Sequence, residues 1–396
     1  MVKVYIILAV FLFSLNLLGQ NTSVQKPWNE RINLRGYTQV RYNRLLETNG
    51  KLKNEQGDRS WGENGGFLIR RLRLVFSGQI NDRVYFYIQP DFASNASSTA
   101  LHYGQIRDAY FDIGLDAKNE FRVRIGQSKL PYGFENMQSS QNRLPLDRND
   151  ALNSAFANER DLGINLYWAP TKVRQLFSSL IKQGLKGSGD YGVFGLGVFN
   201  GQIANKPEQN NLPHIVARVT YPFQVKNQII ELGLQAYTGN YVITKDQLSD
   251  TSVKVLKNRS YLDERIAASF ILYPKPFGIQ AEYNIGRGPE YNKITNAIEI
   301  TKLHGGYITA SYKIDAGSRV VIPFSRYHYY KGGKKHETDA RSYEVSELEL
   351  GIEWQPNPNF ELVGMYTISE RRFEDQILRN NLQSGNLLRL QAQLNF

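Results

Sequence analysis

The last eleven residues of the chain, Asn386–Phe396, alternate strictly between apolar and polar side chains. The apolar set comprises Leu388, Leu390, Ala392, Leu394 and Phe396. The polar set comprises Arg389, Gln391, Gln393 and Asn395. Successive side chains of a β-strand point to opposite faces, so the segment predicts a strand with one apolar and one polar surface. A soluble sheet can contain such a strand, but an amphipathic strand ending on an aromatic residue is typical of an outer-membrane β-barrel, whose apolar face contacts lipid.

The preceding sequence divides into similar alternating segments. We predict sixteen strands, at residues 31–44, 67–80, 83–93, 105–115, 120–128, 161–170, 190–200, 212–223, 228–240, 262–273, 277–286, 304–314, 318–330, 341–355, 359–370 and 385–396. Tight turns alternate with long polar connectors, as in a barrel with short periplasmic turns and longer external loops. The predicted fold is therefore all-β, a sixteen-stranded antiparallel transmembrane β-barrel. The alternative is a large soluble all-β protein or a pair of β-sandwiches.

Three connectors carry specific expectations. Residues 171–189 stand where a short turn is expected, and their apolar residues have helical spacing, which predicts a small periplasmic helix or a misplaced strand. Residues 287–303 are expected to form a long polar connector. Residues 129–160 form the longest predicted external connector, and we expect this third loop to fold into the lumen and narrow it. A disordered external loop is the alternative.

The N-terminal segment has the layout of a secretory signal. An apolar run at 4–18 follows Lys3 and precedes a polar stretch, so we expect residues 1–19 to be a signal peptide and residues 20–396 to form the barrel. A buried N-terminal helix is the alternative. The chain contains no cysteine, which excludes disulfide bonds and cysteine metal sites.

The net charge of +11 suggests anionic partners. No zinc-finger spacing, basic helix or aromatic RNA-binding motif is present, so we expect no nucleic-acid partner. The five histidines are scattered without metal-binding spacing, and we expect no cofactor or metal. The run 331–336 is rich in lysine and is predicted to be a solvated loop tip near lipopolysaccharide or anions.

Strand periodicity points several basic side chains toward the barrel lumen. The predicted inward set comprises Arg35, Arg41, Arg71, Arg73, Arg122, Arg124 and Arg218, and the third loop adds Lys129 and Arg143. Arginine on the lipid face would cost about 2–4 kcal/mol near the membrane midplane, which also favours the inward orientation. A guanidinium presents a planar set of donors to phosphate or carboxylate oxygens. The alternative is that these arginines merely pair with lumen acids such as Asp91, Asp108 and Asp112.

Five motifs resemble the phosphate-selective porin O and P family. They are Arg70-Arg71-Leu72-Arg73-Leu74, Gln89-Pro90-Asp91-Phe92-Ala93, Ile106-Arg107-Asp108-Ala109-Tyr110, Gly126 to Gly133, and Glu159-Arg160-Asp161-Leu162-Gly163. The resemblance implies an outer-membrane barrel that is usually trimeric, with an inward third loop and an arginine-lined constriction. It also implies that Arg70 and Arg71 belong to this constriction, with Asp91 opposite them.

Two positions of the chain depart from what this resemblance and strand periodicity jointly predict. Strand periodicity turns Arg70 outward, so a β-bulge near Arg70 is required to bring it to the constriction. Gly36-Tyr37 stands where such porins often begin their first strand with Gly-Arg, so one constriction arginine is absent from this chain.

The sequence therefore predicts a passive outer-membrane channel for small anions, phosphate or polyphosphate-like, and no enzyme activity. Its expected partners are anionic solutes, outer-membrane lipid and lipopolysaccharide, and the family resemblance adds a homotrimer of the chain. A general or sugar-type porin without phosphate selectivity is the alternative, and an outer-membrane enzyme or adhesin is a third possibility.

Overall fold

The computed structural model describes residues 27–46, 66–94 and 102–396. The predicted signal peptide, residues 1–19, lies outside these ranges. The described strand segments are β1 (Ile32–Leu45), β2 (Gly66–Gln79), β3 (Val84–Ser94), β4 (His102–Gly114), β5 (Phe121–Lys129), β6 (Arg160–Trp168), β7 (Phe194–Phe199), β8 (His214–Val225), β9 (Gln228–Val242), β10 (Ser260–Leu272), β11 (Phe277–Asn292), β12 (Ala297–Tyr312), β13 (Ile314–Ala316), β14 (Arg319–Gly333), β15 (Ser342–Asn357), β16 (Phe360–Glu374) and β17 (Leu382–Asn395).

These segments form one closed antiparallel sheet. β1 pairs with β2 on one side and with β17 on the other, so the sheet has no edge between the first and last strands. β13 continues β12 past Lys313 and pairs with the same neighbour, β14. The seventeen segments described therefore make sixteen strands, which confirms the predicted sixteen-stranded barrel.

The helices are short. They are α1 (Phe134–Met137), α2 (Asp150–Asn153) and α3 (Thr171–Lys182), with 3-10 turns at Trp28–Arg31, Lys245–Gln247 and Thr338–Ala340. No helix in the described ranges is long and apolar enough to cross a bilayer.

The two faces of the strands differ as the alternation predicts. On β17, Leu390 and Leu394 are exposed on the outer face, whereas Arg389, Gln391 and Gln393 are buried inside the barrel. The same division holds on β15, where exposed Leu350 and Ile352 alternate with buried glutamates. An apolar outside and a polar lumen are the surfaces required of a barrel in lipid.

Most connectors follow the predicted alternation of length, but one does not. β11 and β12 extend to Asn292 and from Ala297, so the expected long connector at 287–303 is wrong, and only residues 293–296 form the turn. The segment Arg287-Gly288-Pro289-Glu290 combines turn-forming and charged residues and therefore lacks the alternation that marks strands facing lipid.

The connector between β6 and β7, residues 169–193, is here called the periplasmic insert. It contains helix α3, which confirms the predicted helix at this position. Val173, Phe177 and Leu180 of α3 are buried in a cluster with Leu185, further along the insert, and Tyr273 of the short β10–β11 turn. The insert therefore packs as an ordered unit at the end of the barrel that carries the short turns.

The connector between β5 and β6, residues 130–159, is here called L3. Leu130, Tyr132, Leu152 and Phe156 of L3 pack inside the barrel against residues of β7 to β12. Tyr132 and Tyr237 of β9 meet edge to face, with ring centroids 4.9 Å apart. L3 is therefore folded into the lumen, which confirms the expected inward third loop.

Candidate anion-binding constriction

Ion pairs hold L3 to the barrel wall at both of its helices. Glu135 of α1 binds Arg326 of β14, with 2.6 Å between Oε1 and Nη1. Asp150 of α2 binds Lys334, with 2.5 Å between Oδ1 and Nζ. All four side chains are buried, so these contacts fix L3 across the lumen rather than at its surface.

The arginines predicted to face the lumen from the strands do so. The buried members are Arg41, Arg71, Arg73, Arg122, Arg124 and Arg218. Arg70 reaches the same region because the register shifts between β1 and β2: Gln39 lies opposite Arg71, whereas Val40 lies opposite Ile69. Arg70 is thus the extra residue of a β-bulge, which confirms the bulge required at this position.

Several of these arginines pair with acidic residues. Arg73 binds Asp91 at 3.0 Å between Nη2 and Oδ2, and Arg122 binds Asp190 at 2.8 Å. Arg218 binds Glu231 at 3.0 Å. For these residues the geometry matches the alternative considered from the sequence, in which lumen arginines neutralise lumen acids.

The acids predicted to oppose the arginines have specific partners. Asp91 lies directly opposite Arg73 in the β2–β3 register, and Arg71 is two residues away along β2. Asp108 accepts two hydrogen bonds from Arg160, both at 2.9 Å, in a bidentate pair. Both acids are therefore neutralised within the wall.

Asp147 of L3 is shared by three arginines of the wall. Its Oδ2 lies 2.9 Å from Nη1 of Arg41 and 2.7 Å from Nη1 of Arg389. Its Oδ1 lies 3.5 Å from Nη2 of Arg70. Arg389 also binds Glu349 at 3.0 Å, and Glu349 in turn binds Arg326 at 2.6 Å, so Asp147 connects L3 to a network of wall arginines.

Arg71 and Arg143 differ from the arginines around them. Their exposed fractions are 6% and 4%, and neither forms an ion pair with any described residue. Arg71 donates from Nη1 to Oε1 of Gln39 at 2.8 Å. Arg143 of L3 has buried Nε and Nη1 atoms that make no hydrogen bond within the described ranges.

These two guanidiniums lie close enough to repel each other. Arg143 is among the charges that act most strongly on Arg71, together with Arg70, Arg73 and Arg41. Burial, reinforced by Arg148, lowers the pKa of Arg143 to about 10, so its guanidinium stays charged at neutral pH. Two buried cations without a carboxylate partner in the described structure mark the candidate anion site.

The other predicted basic residues have different surroundings. Lys129 donates from Nζ to the carbonyl oxygens of Met137 and Gln138 at 3.1 and 2.5 Å, and so fastens L3 to β5. Arg35 is exposed in a cavity nearer the periplasmic end, with its guanidinium 6.0 Å from the ring of Tyr87. Arg124 forms a bidentate pair with Asp112 at 2.7 and 2.9 Å.

One charge cluster of the site was not found from the sequence. Glu159 of L3 binds Arg107 at 2.7 Å, Arg160 at 2.9 Å and Arg148 at 3.2 Å, and so forms a second charge cluster. Contacts of this kind join residues on different strands, and strand periodicity carries no information about them.

Tyr37 fills the position where an arginine was expected by resemblance. Its hydroxyl accepts from Nη1 of Arg73 at 2.8 Å and lies 2.5 Å from Oγ of Ser140 in L3. Tyr37 therefore joins the wall to L3 without adding a charge.

The prediction of a solvated loop tip at residues 331–336 is wrong for most of the run. Lys334 and Lys335 are buried inside the barrel, where Lys334 binds Asp150 and Lys335 binds Asp263. Only Lys331 is exposed, with a surface pair to Glu344. The composition of a solvated loop and that of a loop in a polar lumen are alike, which explains the error.

One group of side chains has metal-ligand chemistry. Ligand atoms of Asp150, His328 and Glu347 lie within 4.8 Å of one another in the described structure. However, Arg371 binds Asp150 at 3.2 Å and Glu347 at 2.5 Å, and Lys334 also binds Asp150. Positively charged side chains thus already neutralise these carboxylates, and a divalent cation would be repelled.

Comparison with known proteins agrees with this architecture. The structure is similar to the outer membrane channel DcaP of Acinetobacter baumannii, with a TM-score of 0.57 and 15% identity over 92% of this chain and 97% of that chain. It is similar to an anion-selective porin from Comamonas acidovorans, with a TM-score of 0.53 and 10% identity over 92% and 99% of the two chains. It is also similar to the trimer form of OmpT of Vibrio cholerae, with a TM-score of 0.53 and 9% identity over 92% of this chain and 99% of that chain.

At these identities the structural likeness concerns the fold. No curated protein sequence is significantly similar to the chain. The sequence matches the model of the phosphate-selective porin O and P family over residues 50–396. Family and fold together indicate a passive channel rather than an enzyme, in the outer membrane. The chain therefore belongs to the phosphate-selective porin O and P family.

Proposed function

We propose that the channel passes small anions, phosphate or polyphosphate-like, through a constriction where Arg71 and Arg143 bind the permeating ion. The observation that carries this proposal is the burial of these two guanidiniums without a carboxylate partner among the described residues. Their neighbours Arg41, Arg70 and Arg389 bind Asp147, and Arg41 and Arg70 are among the charges that act most strongly on Arg71.

The physical argument concerns desolvation. Burying an ion without a partner costs several kcal/mol, and an anion that enters the constriction recovers part of this free energy. The guanidinium nitrogens replace the water that the anion loses, as donors do in a selectivity filter. A guanidinium offers parallel donors that fit two oxygens of phosphate, which favours this oxyanion over a cation of similar size.

Anion selectivity is tested by the zero-current potential in planar bilayers under a KCl gradient. The variants R71Q and R143Q each remove one unpaired charge and should shift this potential toward cation preference. R287Q is the matched control, because Arg287 is more than half exposed outside the lumen, where it pairs with Glu264. Equal potentials for R71Q, R143Q and R287Q would remove Arg71 and Arg143 from the mechanism.

A second measurement separates phosphate selectivity from a general or sugar-type porin. Phosphate should inhibit the chloride current at concentrations where neutral sugars have no effect. Inhibition by sugars alone would favour the sugar-type porin, in which the paired arginines only complete the wall.

We also propose that residues 1–19 direct export and that the mature chain assembles as a homotrimer, in contact with outer-membrane lipid and lipopolysaccharide. The trimer form recorded for OmpT, which shares the fold, supports the assembly. Sequencing of the mature N-terminus should begin at Gln20. Native mass spectrometry in mild detergent should give three times the mass of the mature chain, and a monomer mass would exclude the trimer.

A further inference from the structure

We propose a second binding site, on the periplasmic side of the constriction, that selects organic anions in which a ring lies next to the charged group. The site is a cavity of about 710 Å³ lined by β1 to β5, by residues 137–142 of L3, by the periplasmic insert and by residues within 313–320, 355–361 and 395–396, on the side of β14 to β17. This volume lies within the range of about 300–1,000 Å³ usual for small-molecule sites. The inference rests on the proposed anion conduction and adds the class of solute.

Aromatic rings and guanidiniums alternate along one wall of this cavity. Tyr87 and Tyr110 are stacked, with centroids 5.2 Å apart and an interplanar angle of 12°. Arg124 lies 3.9 Å from the centroid of Tyr110, and Arg35 lies 6.0 Å from that of Tyr87. Tyr110 thus lies between a ring and a guanidinium, and the rings of Tyr85 and Tyr191 also line the cavity.

The periplasmic insert contributes a further ring beside Arg124. Tyr191 meets Tyr167 of β6 edge to face at 6.1 Å, and Arg124 lies 5.6 Å from the Tyr191 centroid. Asp190, the preceding residue, binds Arg122 and Arg174, both at 2.8 Å. These ion pairs fix Tyr191 at the cavity before any solute arrives, which lowers the entropy cost of binding.

The insert is also fixed further inside the barrel. Lys186 donates from Nζ to both carboxylate oxygens of Glu353 on β15, at 2.6 and 2.7 Å. Gln138 of L3 donates from Nε2 to the carbonyl oxygen of Lys186 at 2.6 Å. A periplasmic connector of a barrel is usually a short turn, so an insert that reaches L3 is a feature with a role of its own.

The charge available to a solute comes from Arg35 and from Lys182 of the insert, which is exposed, lines the same cavity and forms no ion pair with a described residue. Arg124 is neutralised by Asp112, whereas Arg35 is exposed to the cavity and has no carboxylate partner in the described ranges. Tyr85, Tyr110 and Tyr191 also line the cavity, and their hydroxyl groups donate no hydrogen bond to another described residue. Cation, hydroxyl donors and ring faces therefore meet in one space.

The tyrosine rings that line the cavity determine which class of anion it binds. The face of an aromatic ring is electronegative, so it offers nothing to inorganic phosphate. A sugar ring or an aromatic ring stacks on such a face through its C–H groups or its edge, while an attached phosphate or carboxylate binds Arg35. Stacking of this kind raises affinity by about two- to tenfold.

The test is block of single-channel current by four probes added on the periplasmic side: glucose 6-phosphate, benzoate, inorganic phosphate and glucose. We expect glucose 6-phosphate and benzoate to block at concentrations about two- to tenfold below that of phosphate, and glucose not to block. The variants Y85L and Y191L should raise the blocking concentration of the two ring-bearing anions about two- to tenfold more than that of phosphate. Y312L, at an exposed tyrosine of the outer face, is the matched control.

Wild-type protein alone can overturn the proposal, so a variant that fails to fold does not prevent the test. Equal block by phosphate and by both ring-bearing anions would refute ring recognition. Block by glucose as strong as block by glucose 6-phosphate would refute the anionic class. Either result can occur in a channel whose zero-current potential shows anion preference, so this failure is distinguishable from failure of the proposed function.

Discussion

Asp147 balances the arginines of the constriction, and the variant D147N removes its charge while keeping its volume. In the structure its carboxylate lies 2.9 Å from Arg41, 2.7 Å from Arg389 and 3.5 Å from Arg70. Arg389 keeps Glu349, and Arg41 keeps hydrogen bonds to Gln391 and to the Leu146 carbonyl. The variant therefore weakens the contact of L3 with β1 and β17 without removing every partner of these arginines.

The expected magnitude follows from the burial of the pair. Removing one partner from a buried ion pair costs about 3–5 kcal/mol, and the remaining partners of Arg41 and Arg389 place D147N near the lower value. A loss of about 3 kcal/mol corresponds to about a hundredfold change in the docking equilibrium of this part of L3. The strand hydrogen bonds of the barrel are unaffected, so the change concerns the loop and not the fold.

Single-channel recording measures both consequences of D147N. The channel should show more frequent current fluctuations, because L3 undocks more often, and its zero-current potential should shift toward anions. The matched control is E264Q, which removes an acid from an exposed pair with Arg287 that is worth at most about 1 kcal/mol. If D147N and E264Q gave the same fluctuations and the same potential, the role assigned to Asp147 would be refuted.

Two further predictions concern L3 and the periplasmic insert. Burial alone would raise the pKa of Asp147, Asp150 and Glu159, but nearby arginines outweigh it and hold each pKa well below its usual range. A carboxyl with a depressed pKa stabilises L3 at every pH above its ordinary pKa of about 4, and this stability is lost only below that pH. Current fluctuations should therefore stay constant from about pH 7 to about pH 5. New fluctuations at pH 5 would contradict this prediction. The variant K186M breaks the buried ion pair with Glu353, so limited proteolysis should cleave the insert faster than in wild-type protein. The control is K182M, which removes an exposed lysine of α3. Equal cleavage rates in K186M and K182M would show that the ion pair does not hold the insert.

The barrel could be predicted from the sequence because apolar and polar residues alternate within each strand according to the face on which they lie. In β17 the exposed Leu390 and Leu394 and the buried Arg389 lie where alternation places them. The same local rule oriented Arg71 and Arg122 toward the lumen. The β-bulge at Arg70 was expected only because the family resemblance required that residue inside, since a periodicity of two cannot signal its own interruption.

Ion pairs between side chains on different strands and loops could not be predicted from the local sequence pattern. Arg71 and Arg73 are two residues apart on one strand, yet Arg73 is paired with Asp91 and Arg71 has no carboxylate partner among the described residues. The buried positions of Lys334 and Lys335 depend on acids contributed by L3 and β10, far away in the sequence. Which cation stays unpaired, and so is available to an anion, is a property of the folded lumen.

The most direct test of the central claim is a crystal structure of the channel soaked in bromide, with the ion located by anomalous scattering. We predict a bromide peak within hydrogen-bonding distance of the guanidiniums of Arg71 and Arg143. A structure in which carboxylates occupy both guanidiniums, with bromide bound elsewhere in the lumen, would contradict the account.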